Sequence, residues 1–341
     1  MADLLGVLGH EELTGVVQQF VYPELQLANR VPGRDIDGDV CRWTVEKPDP
    51  EVHPYFVGRS GQAMPLKMAD YGEKTFGIPY RFTSKTLDGG VLAQLDAPGT
   101  RDYDAGQSVV DSELRGMNWK VGPYTDEFLI SQALQGSLTI KIGNAAVSSN
   151  LTLDFEIPAG NKISSAANWS AAGTNILSDV RAAKDTLAKY GLTAKYYILN
   201  DVTANYIHTN TTLQNYFKEY NVGRQLTETG NLPPLLGVQP MVVSTRYADV
   251  GVTDRFESKF IADNKVIFVP DFPAAPGDWI EWQRGTMYVP NDMQNGLDLV
   301  RGGVGSWSRT SDNPPGLTMY LRVLRFPVVR KPWAVVIMTT G

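Results

Sequence analysis

The three histidines are the first candidates for metal binding or acid–base catalysis. They are His10, His53 and His208, and they lie far apart in the sequence. A metal-binding pair on a helix needs a short, regular spacing such as His-x-x-x-His, which places both imidazoles on one face. None of the three has such a neighbour. The histidines therefore predict neither a metal centre nor a general base.

Nucleophile and phosphate-binding motifs are also missing. The Gly-x-Ser-x-Gly elbow is absent, and Gly58-Arg-Ser-Gly61 lies in a Pro-rich loop, not between a strand and a helix. Neither Gly-x-x-x-x-Gly-Lys-Ser/Thr nor a Gly-x-Gly-x-x-Gly after a strand occurs. The single cysteine, Cys41, stands on a strand-like stretch beside Arg42 and Trp43. This setting predicts a packed thiol and not a nucleophile.

The best metal candidate is Asp35-Ile-Asp-Gly-Asp39, with Glu46 eleven residues after Asp35. It partly resembles a calcium loop, which takes acids at its first, third, fifth and twelfth positions. Val40 stands where that loop requires glycine, and the following residues alternate like a strand. We interpret the segment as an acidic turn. The sequence thus predicts no catalytic, no cofactor-binding and no metal-binding residue.

Basic residues cluster near the end of the chain, at Arg322, Arg325, Arg330 and Lys331. One interpretation is a contact with nucleic acid or with an acidic neighbouring subunit. The other is a solvated strand edge that its charge protects from aggregation. The cluster alone favours the second interpretation.

The composition is typical of a folded protein that does not bind specific DNA sequences. The 341 residues are 43% hydrophobic and 20% charged, which is too apolar for a disordered chain. The net charge is −6, whereas a DNA-binding face needs clustered cations to displace counterions. One cysteine allows no intrachain disulfide and suits a reducing cytoplasm. No signal-peptide pattern and no apolar run of about 18 residues is present.

Two strands that flank a long loop are predicted between residues 40 and 84. Val40–Glu46 alternates with a period of two, and a second extended run covers Thr75–Thr83. Lys47–Lys67 between them is rich in proline and glycine, so it cannot be helical. Loops of this length without secondary structure of their own are usually functional or binding segments. Its apolar residues would find partners only on a neighbouring chain: Tyr55, Phe56, Met64, Leu66 and Met68.

The clearest helical pattern spans residues 104–135. Its apolar residues form one stripe: Val110, Leu114, Met117, Val121, Tyr124 and Phe128. Gly122-Pro123 interrupts the pattern, because proline removes a backbone hydrogen bond, yet the stripe keeps its register across the break. We predict one long helix kinked near Gly122, with two separate helices as the alternative.

Two shorter helices are predicted on either side of this stripe. One covers Glu11–Phe20 in the N-terminal arm, where apolar residues share a face. The other runs from Ile176 to Tyr190. Thr174 or Asn175 can cap its start, and Gly191 can end it in the left-handed conformation.

Strands account for most of the remaining pattern. Two are expected within residues 137–160 and one at Tyr196–Leu199. Residues 201–320 suggest a second lobe, with helices near Val202–Thr209 and Thr212–Tyr220 and strands at Met241–Thr245 and Lys265–Val269. The continuous apolar run Trp333–Met338 predicts a terminal strand that is buried on both faces.

The order of these elements resembles the major capsid proteins of tailed bacteriophages, specifically the lambda-type protein E family with the HK-ninety-seven-like fold. The most specific local match is Phe260–Pro270, which is similar to the family's aspartate–asparagine segment before an apolar strand. A turn at Gly285, a variable loop at Asn291–Ser311 and a Pro-rich ending at Phe326–Val336 follow in the family's order. The helix and strand of Ile176–Leu199 also look similar. The resemblance covers nearly the whole chain as a pattern of elements.

The resemblance implies an α+β phage major capsid fold. Its expected parts are an N-terminal arm at residues 1–37, an extended loop at 38–86, a peripheral domain at 87–195 and 326–341 with a spine helix at 104–136, and an axial domain at 196–325. The break at Gly122-Pro123 departs from the family pattern. No long charged segment precedes the arm, which implies a separate scaffolding protein.

The implied function is structural and not enzymatic. Copies of the chain would self-assemble into the pentamers and hexamers of an icosahedral head that encloses phage double-stranded DNA without sequence specificity. The implied partners are the chain itself and scaffolding, portal and decoration proteins, with no membrane. Assembly in the host cytoplasm would place the protein in the virion.

Three alternatives remain open from the sequence. The same fold also forms encapsulin-type compartments, which load a cargo enzyme instead of a genome. A β-rich phage tail or receptor-binding protein would recognise sugars through Trp279, Trp282 and Trp307. A hydrolase would use an acid pair such as Asp249 and Asp254, although nothing in their spacing supports this.

Overall fold

The computed structural model describes most of the chain, in two compact units. The described residues are 13, 14, 17, 25–47, 71–87, 90, 101–143, 148–219, 232–247, 258–291, 296–312 and 315–341. The first unit comprises Met1–Arg42, Thr75–Ile130 and Glu281–Val328. The second comprises Trp43–Lys74, Ser131–Ile280 and Val329–Gly341. The two units are defined by internal packing alone and do not correspond to the four predicted parts. The boundaries of the arm, the loop, the peripheral domain and the axial domain therefore stay a prediction.

The described elements mix helices and strands. The helices are α1 (Arg101–Val121), α2 (Pro123–Leu134), α3 (Ile176–Ala188), α4 (Asp201–Thr209) and α5 (Thr211–Glu219), with 3-10 turns at Ala28–Arg30, Ala159–Asn161 and Pro332–Ala334. The first ten strands are β1 (Gly33–Asp35), β2 (Val40–Glu46), β3 (Tyr71–Gly77), β4 (Arg81–Leu87), β5 (Ser137–Gly143), β6 (Ser148–Asp154), β7 (Lys162–Ser164), β8 (Tyr196–Leu199), β9 (Gln239–Val242) and β10 (Arg246–Tyr247). The others are β11 (Ser258–Lys259), β12 (Lys265–Val269), β13 (Ile280–Arg284), β14 (Met287–Asn291), β15 (Gly296–Val300), β16 (Val304–Asp312), β17 (Pro315–Val323), β18 (Arg325–Val329) and β19 (Val336–Thr339).

A three-stranded antiparallel sheet packs against α1 in the first unit. Its strand order is β16-β17-β4, and every second residue of β17 faces the helix. Leu13 and Val17 of the arm join this core, and both are helical, as predicted for Glu11–Phe20; most of that segment lies outside the described residues. The main apolar members are Val110, Leu114, Met117, Leu317, Met319, Leu321 and Val323. Their burial confirms the first half of the predicted helical stripe.

The predicted spine helix is broken at one residue. Helix α1 ends at Val121 and α2 begins at Pro123, the first helical position, where a missing N–H costs nothing. Gly122 donates to the carbonyl oxygen of Asn118 at 2.8 Å and accepts from the Asp126 amide at 2.9 Å. A Cβ on Gly122 would lie 2.9 Å from the Asn118 oxygen, so the close approach requires glycine. Two helices are therefore assigned, but helix-type hydrogen bonds between residues four apart run on both sides of Gly122, so the break is a local kink of the kind predicted.

The buried residues beyond this break differ from those of the predicted stripe. The stripe predicted Tyr124 and Phe128 as core residues, but both are only half-buried. Asp126 and Glu127 are buried instead, together with Leu129 and Ile130 and other apolar residues of α2. The predicted positions are wrong, because the buried line continues at four-residue spacing through Gly122, Asp126 and Ile130 and does not pass through Tyr124 and Phe128.

The second unit is built on a five-stranded mixed sheet. Its order is β7-β19-β12-β8-β9, and the C-terminal strand β19 lies inside it between β7 and β12. This confirms the buried terminal strand predicted at Trp333–Met338, although its first residues form the 3-10 turn Pro332–Ala334. Helices α3, α4 and α5 bury their apolar faces in the same core. Its main members are Trp169, Ile176, Val180, Leu187, Tyr197, Ile207, Leu213, Phe217, Phe268, Val336 and Met338.

The predicted ends of α3 are confirmed. The Asn175 side chain accepts from the Ser178 amide at the start, and Gly191 beyond its end adopts a φ of +71°. The Asn200 side chain caps α4 in the same way, at 2.8 Å from the Thr203 amide.

The strands that flank the long loop are also present. Strand β2 has the predicted bounds and alternation, and it pairs with β3. The second predicted run, Thr75–Thr83, covers the end of β3 and the start of β4, which pairs with β17 instead. Residues 48–70 of the loop, with the apolar residues named above, lie outside the described residues.

Candidate functional site

The two described candidates for nucleophilic or acid–base chemistry, Cys41 and His208, are buried or partly buried. Cys41 is fully buried, and burial together with the nearby Glu281 carboxylate raises the pKa of its thiol to about 12. This confirms the packed thiol. His208 lies in the last turn of α4, where burial lowers its pKa. His10, His53 and the acid pair at 249 and 254 lie outside the described residues.

The acidic turn at Asp35–Asp39 is engaged by neighbouring polar groups. Asp35 faces the Arg284 guanidinium at 4.0 Å, and the Tyr80 hydroxyl donates to Asp39 at 3.2 Å. Gly38 between them has a φ of +89°, which suits a tight turn. Among the described residues, no group of three or more His, Cys, Asp or Glu side chains is arranged to hold a metal ion.

The residues of the basic cluster are partly exposed, and three of them contact other groups of the same chain, so the two predicted interpretations stay open. Arg325 faces Asp126 in the first unit. Lys331 faces Asp278 at 3.1 Å in the second unit. The Arg322 guanidinium lies over the Phe82 ring. These contacts between distant segments had no signal in the local sequence.

The three tryptophans weighed for sugar recognition are buried. Trp279, Trp282 and Trp307 expose 3%, 4% and 6% of their surface. The Trp279 indole donates to the Asp271 carbonyl oxygen at 2.9 Å. A sugar stacks on an exposed ring face, which none of these residues offers. This burial counts against the receptor-binding alternative.

A buried ion cluster in the first unit holds the break between α1 and α2. Arg81, at the start of β4, donates to the carbonyl oxygens of Val121 at 2.8 Å and Gly122 at 3.2 Å. It also donates to Asp126 at 2.6 Å and to the Arg325 carbonyl oxygen at 3.3 Å. A cation at the last carbonyls of a helix is favourable, because their dipoles point towards it. Arg81 therefore fixes the position at which α1 ends.

A second buried carboxylate anchors the arm. Glu127 accepts backbone N–H groups from Gln26 at 3.3 Å, Leu27 at 3.0 Å and Ala28 at 2.7 Å. Burial raises the pKa of Glu127, and these three N–H groups oppose the rise. The contact ties the arm to α2 across about a hundred residues of sequence.

Sequence reasoning missed Arg81, Asp126 and Glu127 as a structural centre. One local signal was available. A proline at the first position followed by acids in the first turn is typical of a helix start, and Pro123 precedes Asp126 and Glu127. The partners of these carboxylates lie on distant segments, and no local pattern indicates them.

An aromatic ladder lines the sheet face that points away from α1. The rings of Phe82, Trp307 and Tyr320 stack in pairs, with centroids 5.3–5.8 Å apart. The Arg322 guanidinium lies over Tyr80 at 5.1 Å and over Phe82 at 5.4 Å. Tyr80 and Phe82 are about half exposed, so the ladder reaches the surface.

The β14–β15 hairpin lies beside this ladder. Met287 and Val289 are buried, and both approach Gly305 on β16, where a Cβ would lie 2.8 Å from Val289. Alternation therefore places Tyr288 on the opposite face, where it pairs in register with Leu299. Leu297 pairs with Pro290 on that same face. Arg322 connects hairpin and ladder, since its guanidinium lies 3.5 Å from the Tyr288 carbonyl oxygen.

These arrangements provide contact surfaces and anchors. Arg81 and Glu127 hold neighbouring backbone segments in place through hydrogen bonds. The aromatic ladder and the β14–β15 hairpin expose aromatic and aliphatic side chains at the surface, where a binding partner could contact them. No described helix is long and apolar enough to span a membrane.

Comparisons with known proteins give the chain its family. The sequence model of "Phage major capsid protein E" matches residues 52–285. A protein described as a prophage capsid protein of Escherichia coli CFT073 is similar in structure, with a TM-score of 0.63, 13% identity, and 98% of this chain and 99% of that chain covered. A phage-related protein of Bordetella bronchiseptica RB50 has a TM-score of 0.61 and 14% identity, with 98% and 97% covered. The capsid of cyanophage P-SCSP1u has a TM-score of 0.50 and 12% identity, with 91% and 86% covered.

A comparison with curated proteins returned no match. The structural matches confirm the predicted α+β, HK-ninety-seven-like fold, and the family match confirms the lambda-type protein E resemblance. The chain belongs to the phage major capsid protein E family, and its role is that of a structural protein of the virion capsid.

Proposed function

We propose that copies of this chain assemble into pentamers and hexamers that close into an icosahedral phage head. The family match over residues 52–285 carries this proposal. The exposed apolar groups on the hairpin and the aromatic ladder support it, because contiguous apolar surface on a soluble protein marks an interaction site. On a closed shell many weak contacts act together, so the assembly gains stability from multivalency.

The division into arm, loop, peripheral and axial parts belongs to the same proposal. The loop at residues 38–86 would lie across one neighbour, and the arm at residues 1–37 would reach another. The apolar residues of the loop support this, because their segment is too rich in proline and glycine to bury them locally.

The shell would enclose double-stranded DNA without binding it tightly. The net charge of −6 supports this, since strong phosphate binding requires a basic surface. Scaffolding, portal and decoration proteins would be the other partners, and assembly would take place in the host cytoplasm. We further propose that the chain catalyses no reaction and binds no cofactor, which the structural role of its family supports.

Electron microscopy tests the proposal directly. The chain is expressed alone and together with the neighbouring phage genes, and the purified material is imaged. Closed particles of uniform size are the expected result. A chain that stays monomeric at high concentration under both conditions would contradict it. DNA inside particles from infected cells would separate a phage head from an encapsulin-type compartment, which carries a protein cargo and which the family match does not favour.

A further inference from the structure

The outer face of the β14–β15 hairpin and the adjacent aromatic ladder form one exposed surface in the first unit. We define this hairpin patch by five side chains, each 49–65% exposed: Tyr80, Phe82, Tyr288, Leu297 and Leu299. Arg322 joins its two halves, since its guanidinium lies over Tyr80 and Phe82 and reaches the Tyr288 carbonyl oxygen. We propose that the hairpin patch is covered by a second copy of this chain in the assembled shell. The inference rests on the proposed function and adds the surface through which copies meet.

The hairpin carries apolar side chains on both of its faces, with Asp298 opposite Val289 on the inner face, and a hairpin facing only water does not need this. Its inner face, with Met287 and Val289, packs on the sheet at Gly305. Its outer face carries Tyr288, Leu297 and Leu299 in cross-strand register. A strand that faces water on one side normally alternates apolar with polar residues. The apolar outer face therefore indicates that something covers it.

The size of the patch fits one side of a contact between copies. Half or more of five large side chains corresponds to on the order of 500 Å² of accessible surface. The largest apolar patch on a typical monomer is about 300–600 Å² and is often functional. A stable interface takes about 800 Å² from each partner, so the patch would form the apolar centre of such an interface.

The chemistry of the patch also fits a protein partner. Interface centres are enriched in tyrosine, phenylalanine and arginine and depleted in lysine and glutamate. The patch contains tyrosine and phenylalanine, and the Arg322 guanidinium packs over the Tyr80 and Phe82 rings. A nucleic acid would need several free cations aimed at phosphates, whereas the five defining side chains carry no charge. Since each subunit of the proposed shell is surrounded by other subunits, a second copy is the partner that fits this surface, and binding of another phage protein there is the competing outcome of the test.

Thiol labelling tests the proposal, because Cys41 is fully buried and gives little background. A cysteine is introduced at Leu297 on the patch, or at Tyr216 on α5 as the control, which is 40% exposed in the second unit. Maleimide labelling rates are compared between dissociated subunits and particles. We expect the rate at L297C to fall about tenfold or more on assembly, because an interface centre excludes water. An equal rate in subunits and particles overturns the proposal, as does protection that needs a second phage protein.

A charge substitution gives an independent result. L297D adds a carboxylate at an exposed position, so the subunit should keep its fold by circular dichroism, and its yield of particles should fall about tenfold or more. Y216D should assemble like the wild type. Normal assembly of L297D, or equal failure of both variants, overturns the proposal.

Failure of the proposed function can be distinguished from failure of the hairpin-patch proposal. If the wild-type chain forms no particles, that function is contradicted, and labelling of L297C is then compared across protein concentrations. A rate that falls as concentration rises supports the contact between copies, and a constant rate overturns it.

Discussion

Replacing Arg81 by methionine should lower the free energy of unfolding of the subunit by about 3 kcal/mol. The side chains of Arg81 and Asp126 are 14% and 6% exposed, so the pair is largely shielded from water. Removing one member of a buried pair costs about 3–5 kcal/mol, because the other charge stays buried. Arg325 remains 3.5 Å from Asp126, so that carboxylate is not left unpaired and this cost falls to about 1 kcal/mol. The two helix-end carbonyls lose their donor, which adds about 1 kcal/mol each.

Urea unfolding of unassembled subunits, followed by circular dichroism, measures this loss. Amide hydrogen exchange gives a local signal at Gly122 and Asp126, whose N–H groups bond across the helix break. If the lost free energy lowers the cost of local opening at these two amides, their exchange rate should rise roughly a hundredfold, since each 1.4 kcal/mol is about a factor of ten in rate.

Two further variants test the physical explanation. Lys85 pairs with Glu113 on the surface of the same unit, so K85M should cost less than about 1 kcal/mol. R81K keeps the charge but loses the forked guanidinium, so it should fall between wild type and R81M. The reasoning is refuted if R81M is no less stable than K85M, because Arg81 would then contribute no more than a surface cation.

Three further predictions concern single residues. G122A should lose about 1–3 kcal/mol in urea unfolding, because its Cβ would lie 2.9 Å from the Asn118 carbonyl oxygen, whereas G116A, in open space within α1, should gain about 0.5–1 kcal/mol. Burial raises the pKa of Glu127, so the folded chain holds this proton more tightly than the unfolded chain, and wild-type stability should fall as pH rises from the ordinary Glu pKa through the raised one. E127Q should abolish that fall in unfolding curves measured between about pH 4 and pH 8, and an unchanged slope would contradict the assignment. Because burial raises the pKa of Cys41 to about 12, thiol reagents at mild alkaline pH should modify the unfolded chain and leave the folded chain unmodified.

Elements with a clean local period were predictable from the sequence. Strand β2 has its predicted bounds because polar and apolar residues alternate from Val40 to Glu46 on a half-buried surface. Helix α3 starts at its predicted cap because Asn175 offers an oxygen to the free N–H groups of the first turn. Such signals act within a few residues, so sequence reasoning can detect them.

Predictions failed where distant segments determine the structure. The stripe across Gly122-Pro123 fitted one helix by spacing alone, yet the buried residues beyond the break include Asp126 and Glu127. Charged residues are buried only with partners, and the partners here are Arg81 and the backbone of Leu27, which lie 45 and 100 residues away. No window of local sequence contains that information.

The hairpin patch is a case in which sequence held a signal that needed the fold to interpret it. The stretch Met287-Tyr-Val-Pro and its partner Leu297-Asp-Leu-Val are apolar at most positions, which a short buried strand would also show. Only pairing and burial reveal that Met287 and Val289 face the sheet while Tyr288 and Leu297 face outwards. A strand that is apolar on both faces is stable in water when both faces pack against other residues. Here the sheet of the same chain packs against the inner face alone. Because the subunit is proposed to assemble with copies of itself, the exposed apolar outer face of the hairpin indicates where a neighbouring copy packs.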